Sequence, residues 1–208
     1  MSKSPGTFIA FEGPDAAGKS TQVRLLAEWL RDAGAEVVAT FEPGDTRIGP
    51  EVRRLVLDVA SDGLDARAEA LLYAADRAEH VASVIRPALS RGAVVITDRY
   101  VDSSIAYQGA GRDLGRDEVA ALSAFATGGL VPDLTVVLDV PPDVRRARIG
   151  RELDRLEGEA EQFHERVRRT YLELAAAEPD RYLVVDGSRP EDEQAEVIAE
   201  AVEKVMVG

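Results

Sequence analysis

The chain has 208 residues, 38 acidic against 25 basic side chains, a net charge of −13 and no cysteine. That length fits one domain with a full core, the charge argues against a nucleic-acid partner, which needs a basic footprint, and the missing cysteines exclude disulfides, thiolate metal sites and cysteine nucleophiles. No apolar run approaches the ~18 residues of a membrane span and the N-terminus runs straight into a strand with no room for a signal peptide, so a soluble, cytoplasmic protein is expected.

In chain order, Thr7–Phe11 reads as a buried strand, followed by a Gly-rich turn and a helix from Lys19 to Ala33 that Gly34 stops. Glu36–Phe41 is a second strand, Gly49–Asp58 a short helix and Ala66–Ser90 a long helical stretch. Ala93–Thr97 is a third strand ending at Asp98, and a helix covers Asp117–Ala126. Leu134–Asp139 is a fourth strand, Asp143–Gly150 and Gln162–Ala177 are helical, Tyr182–Asp186 is a fifth strand and Glu191–Val205 a last helix. Apolar strands separated by helices indicate a parallel sheet covered on both faces, a three-layer α/β fold in one domain over 1–208. Ligands of such sheets bind beyond the carboxyl ends of the strands. The turns after Phe11, Phe41, Thr97, Asp139 and Asp186 therefore share one functional rim.

The first of these turns, Gly13-Pro14-Asp15-Ala16-Ala17-Gly18-Lys19-Ser20, fits G-x-x-x-x-G-K-[ST] between a strand and a helix. Glycines let backbone N–H groups converge on phosphate oxygens at a helix N-terminus. Lys19 is expected to reach the β- and γ-phosphates of a nucleoside triphosphate, Ser20 to ligate Mg²⁺, and Thr21 lies beside it. Lysine is rare here, at Lys3, Lys19 and Lys204 only. The loop alone fits a kinase, a GTPase switch or a motor ATPase, but no N-K-x-D base-reading segment accompanies it. Asp98, at a strand end, is the candidate for holding Mg²⁺ through water; Asp139 competes on pattern alone.

The stretch DRYVDSSIAYQG (98–109) resembles the thymidylate kinase signature D-R-[YH]-x-x-S-x-x-A-[YF]-Q. FEGPDAAGKST, FEPGDTRIGPEVRRLVLD, LLYAADRAEH, and RELDRLE followed by FHERVRRTYLELA resemble the family's other motifs in order, so the resemblance covers nearly the whole chain. It implies a P-loop kinase fold with a five-stranded parallel sheet, and an Arg-rich lid near residues 143–162 of the bacterial type. It also implies a homodimer through Leu71–Ile85 and Asp117–Ala126, and Mg²⁺- and ATP-dependent transfer of a phosphate to dTMP. The alternatives are a kinase for another deoxynucleotide or nucleoside, and a nucleotide-dependent switch.

Carried over by position, the resemblance puts Tyr73 on the thymine ring, with Arg77, four residues on and so on one helix face, touching the base. The plainer reading of this pair is core packing and an ion pair. Gln108 and Ser104 face the base edge, where an amide offers both donor and acceptor, and Tyr107 lies under the deoxyribose. Arg53 and Arg99 clamp the acceptor phosphate. Asp15 serves the acceptor's 3′-hydroxyl, and Glu42 lies near the acceptor and Mg²⁺. Eight arginines crowd Arg145–Arg169, among seven acids over Asp143–Arg169. Because the phosphate loop carries Ala16-Ala17, the lid must supply the catalytic arginine, with Arg151 and Arg155 matching lid arginines and Arg148 placed to stack on adenine. Phe41 and Asp45 depart from the R-E-P-G-G-T pattern, and His80 and His164 read as ordinary structural residues. Ten acids against two arginines over 173–203 hold more than half of the net charge, in a segment mostly beyond the lid helix.

Overall fold

The structure, a computed structural model, describes residues 6–149 and 153–207. Its centre is a five-stranded, all-parallel sheet in the order β2-β3-β1-β4-β5. The strands are β1 (Phe8–Glu12), β2 (Val37–Phe41), β3 (Val94–Asp98), β4 (Leu134–Asp139) and β5 (Tyr182–Asp186). All five residues of central β1 are buried, whereas β2 and β5 each expose part of their length, as edge strands do.

Alternation along β1 builds two apolar layers. Ile9 and Phe11 point to a cluster completed by Val23, Leu26 and Leu30 of α1 (Lys19–Asp32) and Ile198 and Val202 of α9 (Glu191–Val207). Phe8 and Ala10 point the other way, to Val81, Ile85 and Tyr100. On that side stand α3 (Ala66–His80), packed against α2 (Gly49–Leu57) and α6 (Arg116–Thr127), and α8 (Glu161–Ala177), whose Phe163, Val167 and Tyr171 pack on Tyr107 and Val137.

The helix expected over Ala66–Ser90 is divided. An α-helix ends at His80, a π-helical turn covers Val81–Ile85, and α4 (Arg86–Ser90) finishes the segment. Pro87 accounts for the change: it has no N–H to offer and its ring collides with the carbonyl four residues back, so the preceding turn widens. The signature segment is helical too, as α5 (Val101–Ser104) and a π-helical stretch Ile105–Gly111. The short α7 (Pro142–Arg148) leads into the lid segment.

Candidate active site

The carboxyl ends of β1, β2 and β3 open on a cavity of about 570 Å³, lined among others by Asp15, Lys19, Ser20, Glu42, Arg53, Tyr73, Asp98, Arg99, Ser104, Tyr107 and Gln108. At the phosphate loop, Gly13 has φ +131, and a Cβ there would stand 2.4 Å from the Leu138 carbonyl oxygen, so only glycine brings the chain this close to β4. The loop runs through Pro14, Ala16, with φ +59, and buried Ala17 to Gly18, the left-handed residue that opens α1. Lys19 folds back, donating through Nζ to the Gly13 and Pro14 carbonyls at 3.1 and 2.8 Å. Burial and the facing Arg99 lower its pKa to about 8, against the pull of Asp98, Asp15 and Glu12.

Arg99 is the hub. Its backbone is left-handed (φ +74), held by Thr97, whose hydroxyl donates to the Arg99 carbonyl at 2.8 Å. The guanidinium donates to Asp15 Oδ1, to the Gly13 carbonyl and to Ser103 Oγ, and lies 5.2 Å from the Tyr107 ring centroid. Asp15 also accepts from the Tyr107 hydroxyl at 2.7 Å. Burial alone would raise the Asp15 pKa, but Arg99 and Lys19 outweigh it and hold the carboxyl at about 2. Asp15 is thus a permanent anion locked on a cation.

Ser20 Oγ donates to Asp98 Oδ2 at 2.6 Å. A hydroxyl and a carboxylate side by side offer hard oxygen donors, a fit to Mg²⁺, whose remaining positions are usually filled by water and phosphate. Among the described residues no group of three or more His, Asp or Glu side chains is arranged to hold a metal. The rival Asp139 is spent on Arg168, which donates to both of its oxygens at 2.6 and 2.7 Å.

Glu42 lines the cavity beside Arg53, but both of its oxygens are engaged. It is buried, with one oxygen on Arg77 Nε (2.8 Å) and the other on His80 Nδ1 (2.9 Å), and so is committed to α3 rather than to Ser20 and Asp98. His80, read as ordinary, carries that carboxylate and also meets Thr40 Oγ1 at 2.7 Å. Thr40 in turn donates to Asp45 Oδ2 at 2.7 Å, which gives the unexpected acid a partner on the strand that leads into its turn. The other departure, Phe41, lies under the Arg53 guanidinium, 5.7 Å from ring centroid to Cζ, while Arg53 donates to the Pro43 carbonyl. Arg77 is 1% exposed and bonded to Glu42, Ser104 Oγ and the Tyr100 carbonyl, so it meets the cavity through Ser104 rather than directly.

The lid arginines part company. Arg148 donates to the Ala17 and Gly187 carbonyls, at the seam of phosphate loop and β5 turn. Arg155 is turned away from the phosphate loop and buried, donating to the Val56 carbonyl of α2 and to Glu69 of α3. Thr21 is the third residue of α1, while Arg151 lies outside the described residues.

Three residues escaped the sequence reading. Glu12 accepts from the Tyr100 and Ser103 amides and, at 2.6 Å, from Ser103 Oγ; burial and Asp102 raise its pKa to about 7. Tyr171 meets Ser103 Oγ at 2.9 Å and so backs Arg99. Glu69 holds Gln108. Its signal was present: 69, 73 and 77 repeat every four residues on one face of α3.

The family model for thymidylate kinase matches residues 11–198. The chain belongs to the thymidylate kinase family. It is 58% identical to the thymidylate kinase of Leifsonia xyli over 92% of this chain and 91% of that protein. It is 56% identical to that of Clavibacter michiganensis over 93% and 92% of the two chains. A crystal structure of thymidylate kinase from Ehrlichia chaffeensis, 33% identical, superimposes with a TM-score of 0.76 over 97% of this chain and 99% of that one. Family membership agrees with the five-stranded parallel sheet and with a cavity beyond its carboxyl edge.

Proposed function

We propose that the chain transfers the γ-phosphate of ATP to dTMP, giving ADP and dTDP, with Mg²⁺ as cofactor. Its membership of the family supports the reaction, and one observation carries the site. A single cavity is lined both by an anion-holding set (Lys19, Ser20, Arg99, Arg53) and by an aromatic and amide set suited to a pyrimidine nucleoside (Tyr73, Tyr107, Gln108). A nucleotide switch needs only the first set. In the reaction an oxygen of the dTMP phosphate attacks the γ-phosphorus while the bond to the β–γ bridging oxygen breaks, and the protein's work is positioning and charge. Lys19 and the loop amides hold the donor phosphates, Arg53 and Arg99 hold the acceptor phosphate, and Arg148 borders adenine. Tyr73 and Gln108 fix the base, with Ser104 at its edge, and Tyr107 and Asp15 border the sugar. Ser20 and Asp98 would hold Mg²⁺, which would supply positive charge against the phosphates during transfer. We assign the cation on the transferring group to Arg151 and a bracing role to Arg155.

The unit is one domain over 1–208 with a lid at about 143–162, and no described helix is long and apolar enough to cross a membrane. A cytoplasmic homodimer is part of the same reading: Leu71 of α3 and Phe125 of α6, two helices packed on each other, are 57% and 88% exposed. Coupled ADP release with ATP–Mg²⁺ and each of dTMP, dUMP, UMP, dCMP and thymidine tests the activity. Turnover should be fastest with dTMP, vanish with EDTA and return with Mg²⁺. Preference for dCMP or thymidine over dTMP overturns the assignment.

A further inference from the structure

Gln108 is the only amide side chain on the cavity wall among the described residues, and which of its ends faces a base decides what it can read. An amide Oε1 accepts from N3–H of thymine or uracil; an Nε2 would donate to N3 of cytosine. Nothing on the wall itself fixes that choice. It is fixed from behind, by Glu69.

Glu69 is fully buried on α3 and does not line the cavity. One of its oxygens accepts from Arg155 Nη2, and Arg112 Nη2 stands 3.4 Å from the same oxygen. Two permanent cations on one carboxylate leave it an acceptor only. Its other oxygen lies 2.8 Å from Gln108 Nε2. The reverse orientation would set the amide oxygen against a carboxylate oxygen, two acceptors with no hydrogen between them. Nε2 is therefore committed to Glu69. Gln108 is only 1% exposed, yet among the described residues nothing donates to its Oε1, which is not sealed in the interior either. It is left free toward the cavity.

We propose that Glu69 is a specificity-determining positioning residue: by holding the Gln108 amide nitrogen, it presents the amide oxygen to the substrate and selects pyrimidines that carry N3–H over cytosine. The inference rests on the pyrimidine-nucleotide reading of the cavity. The carboxylate that sets the amide is also the one that anchors Arg155, so base reading and lid share one residue. A purely structural Glu69 would hold the fold without biasing the base.

Two readouts separate these cases. In the ligand-free protein, ¹⁵N NMR of the Gln108 side-chain amide, assigned by its loss in Gln108→Ala, should show protons exchanging with water about tenfold or more slowly in the wild type than in Glu69→Gln, whose amide can donate as well as accept. In kinetics, Glu69→Gln should lower the dTMP-to-dCMP ratio of kcat/KM by about tenfold or more, through KM for the nucleoside monophosphate with KM for ATP unchanged. Should Glu69→Gln fail to fold, the wild type still decides. It should bind dUMP at least about tenfold more tightly than dCMP, whose N3 is an acceptor with no hydrogen to donate. A Gln108 amide that exchanges freely in the wild type overturns the inference. So does a folded Glu69→Gln with an unchanged ratio, or equal binding of dUMP and dCMP by the wild type. A wild type that turns over no pyrimidine monophosphate sinks the proposed function instead, and the NMR experiment still judges Glu69.

Discussion

Asp15 places a negative charge inside a loop built to hold phosphate, and its partners explain how it persists. Arg99 and Lys19 compensate it, and the Tyr107 hydroxyl shares it. Its task is to aim Arg99, since the guanidinium has no other carboxylate partner in a hydrogen bond among the described residues. Asp15→Asn should lower kcat by about 10²-fold, the cost of roughly 1 Å of misplacement at a reacting centre. Tyr107→Phe removes one neutral-to-charged hydrogen bond and should cost no more than about tenfold, near 1.5 kcal/mol. Steady-state kinetics at saturating ATP ranks the two, and a Tyr107→Phe loss equal to that of Asp15→Asn would contradict this division of labour. With the Asp15 carboxyl held near 2, its protonation adds no pH dependence to activity near neutrality. The phosphate loop was legible because its spacing is a motif. The aim of Arg99 was not, because a left-handed arginine held by Thr97 leaves no mark in composition or period.

Elements meet at the end of β1, where Glu12 reaches across to the first turn of α5. Tyr100 is the residue before that helix and Ser103 its third; both amides would be orphan donors at a helix start, and Glu12 accepts from both. The helix is capped by a strand 88 residues away in sequence, so no local capping pattern announces it. Burial costs the carboxylate its solvation, and its pKa stands near 7 rather than 4.5. Native protein therefore keeps a proton that unfolded chain releases between about pH 4.5 and 7, and this group's contribution to stability declines as pH rises through that window. The expected size is on the order of 1–3 kcal/mol, from 1.36 kcal/mol per pKa unit. Urea unfolding at pH 5 and pH 7 checks it: wild type should lose more stability than Glu12→Gln over that interval, and parallel losses would remove Glu12 from the account. The strands themselves were readable to within a residue or two, since each is a short run of apolar and β-branched residues. The π-helical turns were not, because a 3.6-residue period does not distinguish a widened turn from a regular one.

At the scale of the whole molecule, the charge of −13 says little about the site, where Lys19, Arg53 and Arg99 face the cavity and distant surface acids are screened beyond about 8–10 Å at ordinary salt. What joins the regions is Arg155. Lying in the lid segment, it fastens the α2 carbonyl of Val56 to Glu69 of α3, and through Glu69 reaches Gln108 in the signature segment. Sequence spacing offered Arg155 as a catalytic finger, whose loss would cost about 10³-fold or more in kcat. Its burial argues for a strut. Arg155→Ala leaves Glu69 with the Gln108 amide and, as its cation, only the more distant Arg112, and breaking a buried pair from one side costs about 3–5 kcal/mol. For a domain of this size that lowers Tm by about 10 °C. Below that temperature kcat should fall less than about tenfold, while KM for dTMP rises, because the amide facing the base is no longer braced. Thermal unfolding and kinetics on the same variant separate the two roles. A kcat loss near 10³-fold with Tm unchanged would mean that Arg155 leaves Glu69 and reaches the transferring phosphate during turnover. A large Tm loss with kcat nearly intact identifies the strut that holds the lid segment, α2, α3 and the base-reading amide in one register.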